Sequence, residues 1–259
     1  MRATFLALGV LVAIFVALPI FIVLPMSFST SLSLEFPPPG YGVRHYVQFF
    51  HDPTWIGPLV NSFVIAAGTT ALTMLLVTPA AFAMVRHDFR GRGFINLLLL
   101  TPLIVPHIVM AVGYFTYFAR LHLLQTYVGV MLAHACLTSP VAFLTIAAGL
   151  KGFDRNYERA AQSLGAPPLV AFFVVTFPIL RIAFLVSGLL AFVHSFDETT
   201  VALFISGRDV ATLPKRMFDA IRLQADPVIS VASSLLFGVV LIVFAAAMLR
   251  QYLGQRGAR

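Results

Sequence analysis

The sequence predicts an all-α membrane protein with six transmembrane helices and both termini on the cytoplasmic side. Three observations carry this prediction. Of 259 residues, 59% are hydrophobic and only 10% charged, with a mean hydropathy of +0.94. A soluble domain holds roughly 25% charged residues. The apolar residues come in runs matching the ~20 needed to cross a bilayer. The basic residues collect between alternate runs: eleven lie in the expected inner segments and six in the outer ones, the bias of cytoplasmic loops. Helices follow because lipid leaves a free backbone N–H or C=O without a partner.

The first apolar run covers 3–28. It is too long for a signal-peptide core and has no small-residue cleavage site, so a retained span is expected. The segment 29–57 reads as an outer loop, broken by Pro37-Pro38-Pro39-Gly40. Further spans are expected at 58–85, 94–118, 127–149, 179–205 and 228–249. The chain therefore divides into 1–57, a first helix with its outer loop; 58–249, a core of five helices interrupted by a polar loop at 150–178; and 250–259, a cytoplasmic tail. Pro102, Pro106 and Pro140 are expected to kink or break their helices. In the last outer loop, Thr212 is placed to cap a short helix with Pro214 in its first turn. Leu213, Met217 and Ile221 recur along that helix at spacing four.

A formal charge of +7 and a pI near 10.1 would suggest a nucleic-acid binder in a soluble protein. Here no basic stripe or interleaved aromatic pattern accompanies the charge, which excludes that class. The single cysteine, Cys136, excludes an intrachain disulfide and a cysteine-based metal cluster. It is expected to act as a small buried hydrophobe. His107, His134 and His194 fall within expected spans, but no two of them stand at metal-ligand spacing, so no metal site is expected. His194 lies three residues before Asp197, within reach on one helix face.

The most informative segment is a polar island at 154–168. Tyr157, Ala160, Ala161 and Leu164 follow i, i+3, i+4, i+7 spacing and share one helical face. Arg155, Glu158, Arg159, Gln162 and Ser163 occupy the rest of the surface. Asp154 suits the N-cap, Gly165 a left-handed C-terminal residue, and Pro167 and Pro168 prevent continuation. The outcome is a short helix of about 11 residues, ~16 Å long. It projects into the cytoplasm, with a small-residue face that another protein could approach closely. A helix packed on its own bundle is the alternative on these grounds alone.

A second interruption is Ser195-Phe196-Asp197-Glu198 in the fifth span. Ionisable residues at membrane depth are costly and mark pathways. Asp197 lies ~28 Å along an untilted helix from Pro178, at the outer edge of the hydrocarbon, where headgroups or an outer cavity could also wet it. Ser195, Asp197 and Glu198 are the candidate pathway residues, and acids there favour a cation.

Arg159-Ala160-Ala161-Gln162-Ser163-Leu164-Gly165-Ala166, followed by Phe177-Pro178, resembles the EAA loop of permease subunits in ATP-binding-cassette (ABC) importers. That loop reads Glu-Ala-Ala, three residues, Gly, then a Leu-Pro-like pair. Arg159 stands where the family has Glu, and Glu158 is one position early. Asn61-Ser62-Phe63, Thr78-Pro79-Ala80-Ala81-Phe82-Ala83 and Pro102-Leu103-Ile104-Val105-Pro106 are similar to other parts of the same core. Ser-Phe-Asp-Glu, Leu203-Phe204-Ile205-Ser206-Gly207 and Leu213-Pro214 resemble the polyamine branch.

The resemblance implies the type I importer-permease (MetI-like) fold. It implies an inner-membrane permease subunit that moves a small cation such as spermidine or putrescine. Tyr157, Glu158, Arg159, Ala160, Ala161, Leu164 and Gly165 would dock an ATPase. The implied partners are a second, different permease, two cytoplasmic ATP-binding subunits and an extracytoplasmic solute-binding protein. The chain itself would bind no cofactor, ATP and Mg being held by the partner ATPases. It has no G-x-x-x-x-G-K-[ST] loop of its own. The alternative solutes are ferric iron, an amino acid derivative or an organic anion. An intramembrane hydrolase would have to pair Ser187 with His194, and these lie outside any G-x-S-x-G context. A secondary transporter would work without a docked ATPase.

Overall fold

The structure is a computed structural model and describes residues 2–223 and 226–256. The secondary structure of those residues is helical, apart from one isolated antiparallel bridge between Ser29 and Tyr41. Of the expected tail at 250–259, residues 257–259 lie outside the described residues. The chain forms two compact units, Met1–Ile56 with Arg216–Arg259, and Gly57–Lys215.

In the first unit, α1 (Arg2–Ser27) packs on α12 (Val228–Arg256), which also packs on α2 (Arg44–His51). The segment after α1 is tied down locally. The Ser27 and Tyr46 hydroxyls hydrogen-bond at 2.9 Å, and His45 Nε2 reaches the Ser31 carbonyl at 2.8 Å. Arg216 covers the buried Trp55 ring, 4.6 Å from its centroid. It also pairs with Asp226 at 3.6 Å.

The second unit holds most of α3 (Pro53–Arg86), then α4 (Arg92–Leu100), α5 (His107–Arg120), α6 (Tyr127–Lys151) and α7 (Asn156–Ser163). A run then extends from Pro168 to Asp197 through α8 (Pro168–Ala171), a π turn (Phe172–Thr176) and α9 (Phe177–Asp197). The widened turn falls just before Pro178, which has no N–H to offer the Val174 carbonyl. Then follows α10 (Thr200–Ile205), while α11 (Leu213–Leu223) starts at the end of this unit and runs mostly within the first.

Among the described residues, α3, α6 and the run 168–197 are long and apolar enough to cross a membrane. The expected span 94–118 is not one straight helix. After α4 and a 3-10 turn at Thr101–Leu103 the chain bends by 103° into α5. Pro106 lacks an N–H and drives Val105 out of helical conformation, so the break falls between the two prolines. Pro140, by contrast, sits inside an unbroken α6. The span expected at 179–205 starts earlier, at Pro168, and ends at Asp197, with 200–205 a separate helix.

Helices α6 and α9 pack closely because Gly149 leaves room. A Cβ at Gly149 would lie 2.8 Å from that of Ala183, the small-residue contact usual between membrane helices. Two buried clusters result. One joins Val77, Ala81, Phe143, Ile146, Leu180 and Phe184. The other joins Ile65, Ala111, Phe118, Val130, Val201 and Ile205. Large side chains on the outer face of α9, such as Ile182 and Leu185, are exposed, as suits lipid rather than water.

Two loop expectations change. Thr212 does not cap α11, because its buried hydroxyl has no partner. The Leu213 N–H donates instead to Ser62 Oγ at 2.8 Å. Asn61 beside it donates to the carbonyls of Asp209 and Ala211, both at 3.0 Å, and accepts from the Tyr127 hydroxyl at 2.6 Å. Cys136 is exposed rather than buried.

Candidate functional site

The polar island folds as α7, eight residues rather than the expected eleven. The Asp154 carboxylate accepts from the Asn156 N–H at 2.9 Å and organises the entry. The exit is a Schellman motif. The Gly165 N–H donates to Gln162 O at 2.9 Å and the Ala166 N–H to Ala161 O at 3.1 Å, with Gly165 at φ +93°. The glycine is required there because a side chain in that conformation is strained.

The face read from the sequence is turned outward. Leu164 is 90% exposed and Tyr157 60%, while Arg159 and Ala160 are also exposed and Ala161 partly so.

Glu158 departs from the other six candidates. It is 9% exposed, and its Oε2 lies 2.5 Å from Arg86 Nη1 at the end of α3. The Arg86 guanidinium also stacks on Phe82, 4.4 Å from the ring centroid, and lies 5.8 Å from that of Phe153. Glu158 therefore ties α7 to its own subunit rather than facing outward. Sequence reasoning passed over Arg86, whose only signal is its place as the basic residue closing an apolar run.

The second site surrounds the acids at the end of α9. Asp197 and Glu198 line a cleft of about 500 Å³ together with His107, Leu190, Val193 and His194. Asp197 is exposed and Glu198 buried. Glu198 Oε1 accepts the Val201 N–H at 2.9 Å, at the start of α10, and Oε2 lies 3.0 Å from His107 Nδ1. Ser195 is not with them. It is buried and shares a 3.0 Å hydrogen bond with His134 Nδ1 on α6.

His194 groups with His107 and Glu198 rather than pairing alone with Asp197. The expectation of no metal site rests on the spacing among the histidines alone, and the fold brings distant His107 to His194 and Glu198, which lie only four residues apart in the chain. The hydrolase pairing does not form, since Ser187 donates to the Ala142 carbonyl at 3.2 Å.

Residues 76–257 match the family described as the inner membrane component of binding-protein-dependent transport systems. The chain is 31% identical to the putrescine transport system permease protein PotI of Escherichia coli over 211 residues, 79% of this chain and 75% of that one. It is 27% identical to the molybdate/tungstate transport system permease protein WtpB of Pyrococcus abyssi, over 97% of this chain and 95% of the relative. The spermidine/putrescine permease protein PotC of Haemophilus influenzae is 27% identical, over 76% and 77% of the two chains. The fold is similar to that in a crystal structure of a bacterial ABC transporter that imports the acidic polysaccharide alginate. That likeness has a TM-score of 0.74 and 16% identity, covering 97% of this chain and 96% of the other. The chain belongs to the family of binding-protein-dependent inner-membrane transport components: it is a multi-pass, non-catalytic permease subunit of an ABC importer.

Proposed function

We propose that this permease forms the translocation path for a small organic cation, a polyamine such as putrescine or spermidine. The observation that carries the reading is the cleft in which Asp197 and Glu198 stand beside Leu190 and Val193. Carboxylates suit ammonium groups, and the apolar residues suit the methylene stem between them. Two of the relatives described above are polyamine permeases by name. The acids would oppose an oxyanion such as the cargo named for WtpB.

The exposed face of α7, formed by Tyr157, Arg159, Ala160, Ala161, Leu164 and Gly165, docks a cytoplasmic ATPase subunit. The Glu158–Arg86 pair carries the displacement of that helix to α3. The complete importer holds a second, different permease, two ATPase subunits that bind ATP and Mg, and an extracytoplasmic binding protein. This permease sits in a bacterial inner membrane with both termini in the cytoplasm.

The test is ATP-driven uptake by the full complex in proteoliposomes, with labelled putrescine and molybdate offered separately. Putrescine uptake that falls at least roughly tenfold in Asp197→Asn, with assembly intact, supports the reading; each tenfold corresponds to about 1.4 kcal/mol. Uptake of molybdate but not putrescine overturns it.

A further inference from the structure

We propose that His107, His194 and Glu198 form a binding site for a divalent transition-metal ion of the zinc class, open on one side to the cleft. The ligand atoms of the three residues all lie within 4.8 Å of one another. They come from separate places in the fold: His107 opens α5, His194 sits in the last turn of α9, and Glu198 follows α9. The two imidazole rings stand 6.0 Å apart between centroids.

The geometry is close to that of a three-ligand site. Zinc at ~2.0–2.1 Å from each ligand, in tetrahedral arrangement, places ligand atoms ~3.4 Å apart. His107 Nδ1 and Glu198 Oε2 are already 3.0 Å apart. Closing His194 onto them from 4.8 Å needs at most ~1.4 Å.

Glu198 is also oriented as a metal carboxylate should be. Its Oε1 is held by the Val201 N–H, which aims Oε2 at His107, and such outer contacts fix a ligand before the ion arrives. Glu198 is 6% exposed, so this orientation is not lost to solvent.

Two imidazoles and one carboxylate form the ligand set of an open zinc site. Imidazole selects zinc, copper or nickel over magnesium and calcium. The fourth position faces the cleft that all three residues line, where water completes the shell. An ion there bonds α5 to the α9–α10 junction. If the transport reading holds, it also hinders relative movement of these helices during the cycle.

The test uses the full complex in lipid nanodiscs, stripped with chelator and titrated with Co2+, without transported solute. The expected result is one nitrogen-coordinated Co2+ per copy of this chain, seen by its visible d–d bands and displaced by Zn2+. His107→Asn and His194→Asn should each weaken binding by more than the ~10–100-fold that loss of an outer partner costs. Both keep the Glu198 contact to the Val201 N–H, so they test ligation without disturbing the start of α10. Absence of the bands at saturating Co2+, or bands undiminished in the double His→Asn variant, overturns the site. Binding is measured without transport, so failure here leaves the polyamine reading intact, and failure of putrescine uptake leaves the metal site intact. In uptake assays, Zn2+ should slow the wild type more than the double variant, and equal slowing overturns the proposed hindrance.

Discussion

Arg86 and Glu158 form a buried ion pair, 2.5 Å between Nη1 and Oε2, that joins the end of α3 to α7. The two side chains are 10% and 12% exposed, so neither charge can turn to water if its partner is removed. Glu158→Ala should destabilise the chain by ~3–5 kcal/mol, because an unpaired buried charge costs more than the pair contributes. The apolar double variant Arg86→Met with Glu158→Leu should recover much of that loss. Thermal unfolding of the detergent-solubilised chain measures this. A double variant no better than Glu158→Ala would refute the pairing argument.

Gly165 ends α7 at φ +93° with open space around it. Substitution there strains the backbone without a steric clash. Gly165→Val should weaken the helix end by about 1–2 kcal/mol, and Gly165→Asn by less, because Asn tolerates this conformation. Co-purification of the ATPase subunits is the readout. Gly165→Val should lose ATPase and Gly165→Asn retain most of it.

Gly129 meets a different constraint. A Cβ there would lie 2.0 Å from the Leu123 carbonyl oxygen, a backbone atom that cannot rotate away. Gly129→Ala should exceed the ~1–3 kcal/mol typical of overpacking and disrupt the α5–α6 turn. Yield of folded protein by size-exclusion chromatography tests this, with wild-type yield as the contrary result.

Asn61 holds three groups at once: the Asp209 and Ala211 carbonyls and the Tyr127 hydroxyl. Asn61→Ala should cost ~1–3 kcal/mol for each buried group left unpaired. Asn61→Asp keeps the acceptor for Tyr127 but loses the donors. Because that buried carboxylate oxygen then faces two carbonyl oxygens without a donor, the unfolding temperature of Asn61→Asp is expected to fall below that of Asn61→Ala. An Asn61→Asp variant as stable as the wild type would refute the role of the two donors.

Much of α7 was legible in the sequence because its determinants are local. Ala160 and Ala161 at helical spacing, Gly165 at the exit and the following prolines act through the backbone of one turn. The break at Pro106 was legible for the same reason, since a missing N–H acts where it stands. The unbroken α6 at Pro140 was not, because whether a proline breaks a helix depends on the packing around it.

The sequence alone determined that the chain is a helical membrane protein with a short capped helix between two apolar runs. Composition and backbone chemistry suffice for that. Only the tertiary structure decided that Glu158 turns inward to Arg86, that Ser195 leaves the cleft for His134, and that His107 joins His194 and Glu198. The physical reason is that these contacts link residues far apart in the chain. Helical spacing places a side chain on a face of its own helix, while the packing of α3, α5, α6 and α9 decides what that face meets.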